Sequence, residues 1–130
     1  MQGHYKDLLV WRKAMNLAHA IYLVTEQFPK RETYGLADQM RRAAVSVPSN
    51  IAEGQGYASR REFLRFLRHS RGSLFELETQ LRIAARLKYF PQTEAQRLLV
   101  NIDEVSRMLS GLASSLKQLN SREENEPLPE

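Results

Sequence analysis

Residues 34–56 read YGLADQMRRAAVSVPSNIAEGQG. Leu36, Met40, Ala43, Val47 and Ile51 recur at steps of four, three, four and four, the period of one helix face. Pro48 sits inside that pattern. A proline removes a backbone donor, clashes with the preceding turn and restricts the residue before it. The apolar period nevertheless runs unshifted from Val47 to Ile51. The spacing therefore predicts a helix that continues through Pro48 with a kink, supported by neighbouring helices. Gly54 and Gly56 suit a left-handed cap and a tight turn at its end.

Outward from this stretch the same period recurs. Before it, Trp11, Met15, Ala18, Tyr22 and Thr25 form one row, with Ala14, Leu17, Ile21, Val24 and Phe28 beside them. A stripe this wide suits a helix packed on more than one neighbour. Asp7 is the expected N-cap, and Pro29 stops the helix. After it, Ser59-Arg60-Arg61-Glu62 has the Ser-x-x-Glu form of a capping box, directly before Phe63. From there Phe63, Leu67, Ser70, Leu74, Leu77, Leu81 and Ala84 alternate steps of four and three, a heptad seam. Thr93 can cap the last helix, whose seam is Leu98, Ile102, Val105, Leu109, Leu112, Leu116 and Leu119. Four amphipathic helices, at about 7–28, 35–53, 60–89 and 93–120, predict an all-α, antiparallel up-down four-helix bundle over 1–120. Residues 121–130 hold two prolines, four glutamates and no periodicity, and read as a disordered acidic tail.

The chain has 130 residues, enough for one domain with a real core. It has no cysteine, which excludes disulfides, zinc-thiolate sites and thiol nucleophiles and fits a reducing compartment. No apolar run approaches the ~20 residues needed to cross a bilayer, so a cytoplasmic protein without a membrane partner is expected.

The formal net charge is +4, unevenly spread. In 121–130 one arginine stands against four glutamates, a net of −3, which leaves +7 on the rest. Arg60, Arg61, Arg65, Arg68 and Arg71 crowd residues 60–71 against Glu62 alone. At 100° per residue, Arg61, Arg65, Arg68, Arg82 and Arg86 fall opposite the heptad seam. Gly72 and Phe75 share that outward stripe. A mid-helix glycine costs roughly 1 kcal/mol relative to alanine, so something is expected to approach the backbone there. Such a face is either solvated or a seat for a polyanion.

Little catalytic chemistry is visible. His4, His19 and His69 lack a glutamate three residues before them, so the Glu-x-x-His pairs of di-iron bundles are missing and no metal or other cofactor is expected. No serine is framed by a nucleophile motif, and Gly54-Gln55-Gly56 is neither a dinucleotide fingerprint nor a phosphate loop. Ser46, Ser49, Asn50 and Glu53, one turn apart in pairs around Pro48, are expected to satisfy backbone groups that the kink frees. A non-enzymatic protein is expected, with Arg41, Arg42, Arg60, Arg61, Arg65, Arg68 and Arg71 as candidate nucleic-acid contacts. Recognition would rest on shape and charge, since no base-reading motif is present. The competing expectation is a scaffold whose arginines pair with acids across subunits.

Three stretches carry a family resemblance: DLLVWRKAMNLAHAIYLVTEQFP (7–29), YGLADQMRRAAVSVPSNIAEGQG (34–56) and REFLRFLRHSRGSLFELETQL (61–81). Together they resemble the four-helix-bundle proteins encoded in intervening sequences of bacterial 23S rRNA genes, across roughly residues 5–116. SVPSNIAEG and GSLFELETQL are the most specific segments. That family is often labelled ribosomal because of where its genes lie. It looks related to the accessory proteins of diversity-generating retroelements, basic bundles that form pentameric barrels and bind nucleic acid and a reverse transcriptase. The resemblance implies a homo-oligomer, expected as a pentamer, with RNA or DNA and a reverse transcriptase or another protein as further partners. Ser70 departs from it, because a small apolar residue is expected there.

Overall fold

A computed structural model describes Tyr5, residues 8–57 and residues 59–125, with side chains through residue 119. Four helices follow in order: α1 (Leu9–Thr25), α2 (Leu36–Gln55), α3 (Arg60–Arg86) and α4 (Gln92–Asn125). A single 3-10 turn, Lys30–Glu32, lies between α1 and α2. Each helix packs on its neighbours in sequence, and α4 returns against α1 to close the ring. The result is an all-α four-helix bundle. Its core draws on most of the positions picked out by the periodicity: Leu17 and Ile21, Met40, Val47 and Ile51, Leu74, Leu77 and Leu81, Ile102, Val105 and Leu109 are all fully buried, whereas Met15, Tyr22 and Leu119 of the expected rows are exposed. Each of the buried side chains contributes about 1.5–3 kcal/mol relative to exposure.

The helix ends show local chemistry at work. Ser59 is the N-cap of α3, and its Oγ accepts from the Glu62 backbone N–H at 3.2 Å. The Glu62 carboxylate accepts from Arg65 Nε and Nη2 at 3.2 and 3.0 Å. At its other end α3 closes in a Schellman motif: Tyr89 N–H donates to Ala84 O and Lys88 N–H to Ala85 O. The left-handed position of that motif is held by Lys88, at φ 61°. The left-handed cap expected at Gly54 and Gly56 is therefore not where the glycines are. Gly56 has φ −70°, in the right-handed region. Gly54 lies within α2, where a Cβ would stand 2.6 Å from Phe66 Cβ and 3.1 Å from Phe63 Cδ1. It lets the end of α2 lie flat against the start of α3.

Other boundaries differ from the sequence reading. Helix α1 ends at Thr25, whose hydroxyl donates to the Ile21 and Tyr22 carbonyls, and Phe28 closes a turn onto Thr25. The expected cap Asp7 lies outside the described residues. Helix α4 starts at Gln92, one residue before Thr93, because the Pro91 carbonyl accepts from Glu94 and Ala95. It runs on to Asn125, five residues past the expected boundary at 120. Those residues, SREEN, contain no breaker, and the first proline is Pro127. Residues 126–130 lie outside the described part.

One polar link ties the α1–α2 connection to the end of α3. Glu32 accepts from the Leu36 N–H at 3.3 Å and from the Tyr89 hydroxyl at 2.7 Å. The Tyr89 hydrogen bond, then that from Leu36, holds the Glu32 carboxyl below its ordinary value, and the same hydrogen bond pushes the Tyr89 hydroxyl up. No helix among the described residues is long and apolar enough to cross a membrane.

Candidate nucleic-acid interface

The outward face of α3 follows from its heptads. With the seam buried, Arg61, Arg65, Arg68, Gly72, Phe75, Arg82 and Arg86 are all exposed. A Cβ built on Gly72 meets nothing within 4 Å, so nothing within this chain requires glycine there.

Six of the seven candidate contacts fall into three groups, with Arg60 apart. Arg41 turns inward: its Nε donates to Thr25 Oγ1 at 2.8 Å, its Nη2 to Tyr22 O at 3.4 Å, and its guanidinium lies 4.9 Å from the Tyr22 ring centroid. It fastens α2 to α1, and its donors are largely spent. Arg42 and Arg65 pair with carboxylates on their own helices, Asp38 at 2.9 Å and Glu62 at 3.0 Å. Arg65 also covers the Phe66 ring at 4.6 Å. Exposed pairs of this kind contribute little and exchange readily for another anion. Arg60 is half-buried at the start of α3. Arg61, Arg68 and Arg71 form the third group, which has no ion-pair partner among the described residues. Arg71 lies over the Phe75 ring at 5.4 Å.

Arg68 and Arg71 also line a groove between α3 and α4. Its volume is about 210 Å³, and Leu64, Leu67, Leu109, Ser110, Ala113 and Lys117 complete the lining. Among the described residues no carboxylate lines it, and Lys117 adds a third cation without an ion-pair partner there. Lys117 was not a candidate in the sequence. Only the pairing of α3 with α4 brings it beside Arg68, and no periodicity within one helix reports that.

The polar cluster around Pro48 separates into two parts. Helix α2 runs unbroken through Pro48. Ser46 and Asn50 come together: Asn50 Nδ2 donates to Ser46 O at 2.8 Å and Ser46 Oγ at 2.9 Å, and Ser46 Oγ bonds Ser73 Oγ at 2.8 Å. Ser70, fully buried, donates to Val47 O at 2.8 Å. The carbonyl that a proline at 48 leaves without its helical donor is that of Ala44. The cluster bonds other carbonyls, those of Ser46 and Val47, and fastens α2 to α3. Ser49 and Glu53 do not join it. Both are exposed, and Ser49 faces an open apolar groove between α1 and α2 lined by Trp11, Met15, His19, Tyr22, Val45 and Pro48. Ser46 and Asn50 are thus occupied with one another, and Ser46 also lines a surface recess with Tyr22, Asp38, Arg41, Arg42 and Val45.

The 23S rRNA-intervening sequence protein family matches residues 6–111. No curated protein matches the chain significantly. Among solved structures, a crystal structure of a protein of unknown function from the S23 ribosomal protein family of Bacteroides thetaiotaomicron superposes with a TM-score of 0.75. It is 20% identical, and the match covers 81% of this chain and 98% of that one. At that identity the likeness concerns the fold.

Proposed function

The chain belongs to the 23S rRNA-intervening sequence protein family, and from that footing we propose that it is a non-catalytic, self-associating bundle that binds nucleic acid on the outward face of α3. One observation carries the reading. Residues 60–71 hold five arginines against one carboxylate, and Arg61, Arg65, Arg68 and Arg71 are exposed together on a rigid helix. Guanidinium groups offer planar donors to phosphate and keep their charge at any physiological pH. Arg60 opens the same helix, Arg42 is exposed on α2, and Arg41 is spent on α1. Recognition is by charge and shape, and the setting is the cytoplasm, where RNA is met.

The test is a binding titration of the full chain against structured RNA and duplex DNA across a salt series. Each phosphate contact steepens the dependence of log K on log salt by about 0.7–0.9. A slope of several units is expected. No binding of either at low salt overturns the reading.

A second reading draws support from the α1–α2 groove, where Met15, Tyr22 and Val45 are exposed. On this reading the protein is a scaffold oligomer, expected as a pentamer, without a nucleic-acid ligand. Sedimentation at varied concentration then reports assembly, and Arg61→Ala and Arg65→Ala alter that assembly instead of RNA affinity.

A further inference from the structure

We infer that the groove between α3 and α4 seats a single strand of nucleic acid, with Arg68, Arg71 and Lys117 on its phosphates and the Phe75 ring as a platform for an unstacked base. This rests on the nucleic-acid reading above and names the form of ligand.

Three features point to a strand instead of a duplex. First, the cations stand around a recess between two helices. Leu64, Leu67 and Leu109 lie at its base, and Arg68, Arg71 and Lys117 edge it. A recess of about 210 Å³ admits one extended backbone, whereas a duplex would meet only the outer rim. Second, no acidic side chain among the described residues lines it, and none of its three cations has an ion-pair partner among them. This sets it apart from the Arg65–Glu62 and Arg82–Glu78 pairs elsewhere on α3. Third, the groove continues onto an aromatic ring. Arg71 lines the recess and also lies over Phe75, which is 50% exposed and outside the core. Seven residues separate Arg68 from Phe75, about 10 Å along the helix axis. An exposed ring gains nothing from bases already stacked in a duplex. It can stack on a splayed base of any identity, and arginine beside it adds a cation–π contribution. Phosphate donors and a stacking ring within two turns are the two parts a sequence-tolerant strand site needs.

The test compares a labelled oligouridine of about 12 nucleotides with an RNA duplex of the same length, on the full chain and on Phe75→Ala, Phe75→Leu and Lys117→Ala. The chain is expected to bind oligouridine more tightly than duplex. Phe75→Ala and Phe75→Leu are each expected to weaken oligouridine about tenfold, because stacking on a ring contributes ~1–3 kcal/mol per base. Neither should change duplex binding. Lys117→Ala should lower the oligouridine salt slope by about 0.7. If both Phe75 variants bind oligouridine like the parent while binding persists, or if duplex is preferred, the groove assignment falls and the nucleic-acid reading stands. Loss of assembly in Phe75→Leu with unchanged oligouridine affinity also overturns it, because the ring then belongs to a contact between copies. If neither probe binds at low salt, both fall together.

Discussion

The two flanks of α3 are built on opposite plans. Its joint with α2 is closed by a small residue from one helix or the other at each level: Gly54 of α2 across from Phe63 and Phe66, Ser70 on the Val47 carbonyl, Ser73 on Ser46. Toward α4 the helix presents Leu64 and Leu67, then Arg68 and Arg71, and the two helices leave a groove between them. Small residues let backbones approach until hydroxyls of one helix reach carbonyls of the other. Leucines and long cations keep the helices apart and leave charge at the rim. One helix thus has a closed flank that fixes it and an open flank with donors to spare.

The sharpest way to break this contrast is Gly54→Ala. The new methyl group would meet Phe66 Cβ at 2.6 Å, a contact no rotamer relieves. A loss of about 2–3 kcal/mol is expected in urea unfolding, at the upper end for overpacking. Stability within 0.5 kcal/mol of the parent, about the scatter of surface changes, would mean the closed flank is slack. Next in size is Arg41→Ala, which removes the Thr25 hydrogen bond and the Tyr22 stacking. It should cost about 1–2 kcal/mol while leaving the salt slope of nucleic-acid binding unchanged. A changed slope would return Arg41 to the interface.

Gly72→Ala should act in the opposite direction. Open space surrounds the site, so alanine is expected to stabilise the isolated bundle by up to about 1 kcal/mol. If that gain appears but assembly or binding weakens, the face needs a close approach to the backbone. Lys88→Gly should also stabilise, by about 0.5–1 kcal/mol, since it relieves a left-handed backbone position. The smallest effect concerns Glu32. Its carboxyl is held below the ordinary value, so its contribution is present above the unfolded pKa and is lost as pH falls through the folded one. Tyr89→Phe removes the main cause and should flatten acid unfolding in that window. An unchanged acid limb would show that the hydrogen bond has no thermodynamic weight.

The closed flank was largely legible in the sequence, because it is periodic. Val47, Ile51, Leu74 and Leu77 announce themselves by their spacing, and the core takes them all. Ser59 was legible through a local signature of four residues. The open flank was legible only in part. That Arg68 and Phe75 face outward follows from the heptads, but their association with Lys117 depends on the register of α3 against α4. Register is a long-range property, and no single segment encodes it. The inward turn of Arg41 was hidden for the same reason: its partner Thr25 belongs to another helix. The glycines misled because two different needs favour the same residue. Gly54 serves close packing, while the left-handed turn is made by Lys88.

The lengths of the helices carry a last consequence. Helix α1 has 17 residues and α4 has 34, about 26 Å against about 51 Å. The Gln27–Glu94 and Lys13–Glu104 contacts align them at one end of the bundle, so the last turns of α4 project past the start of α1. Those turns have fewer helices to shelter them. Backbone amides from about 112 onward should therefore trade their hydrogens for deuterium through small local openings, while those of Ile102 and Val105 wait for the whole domain to unfold. The two ends of a single continuous helix would then differ in lifetime by orders of magnitude.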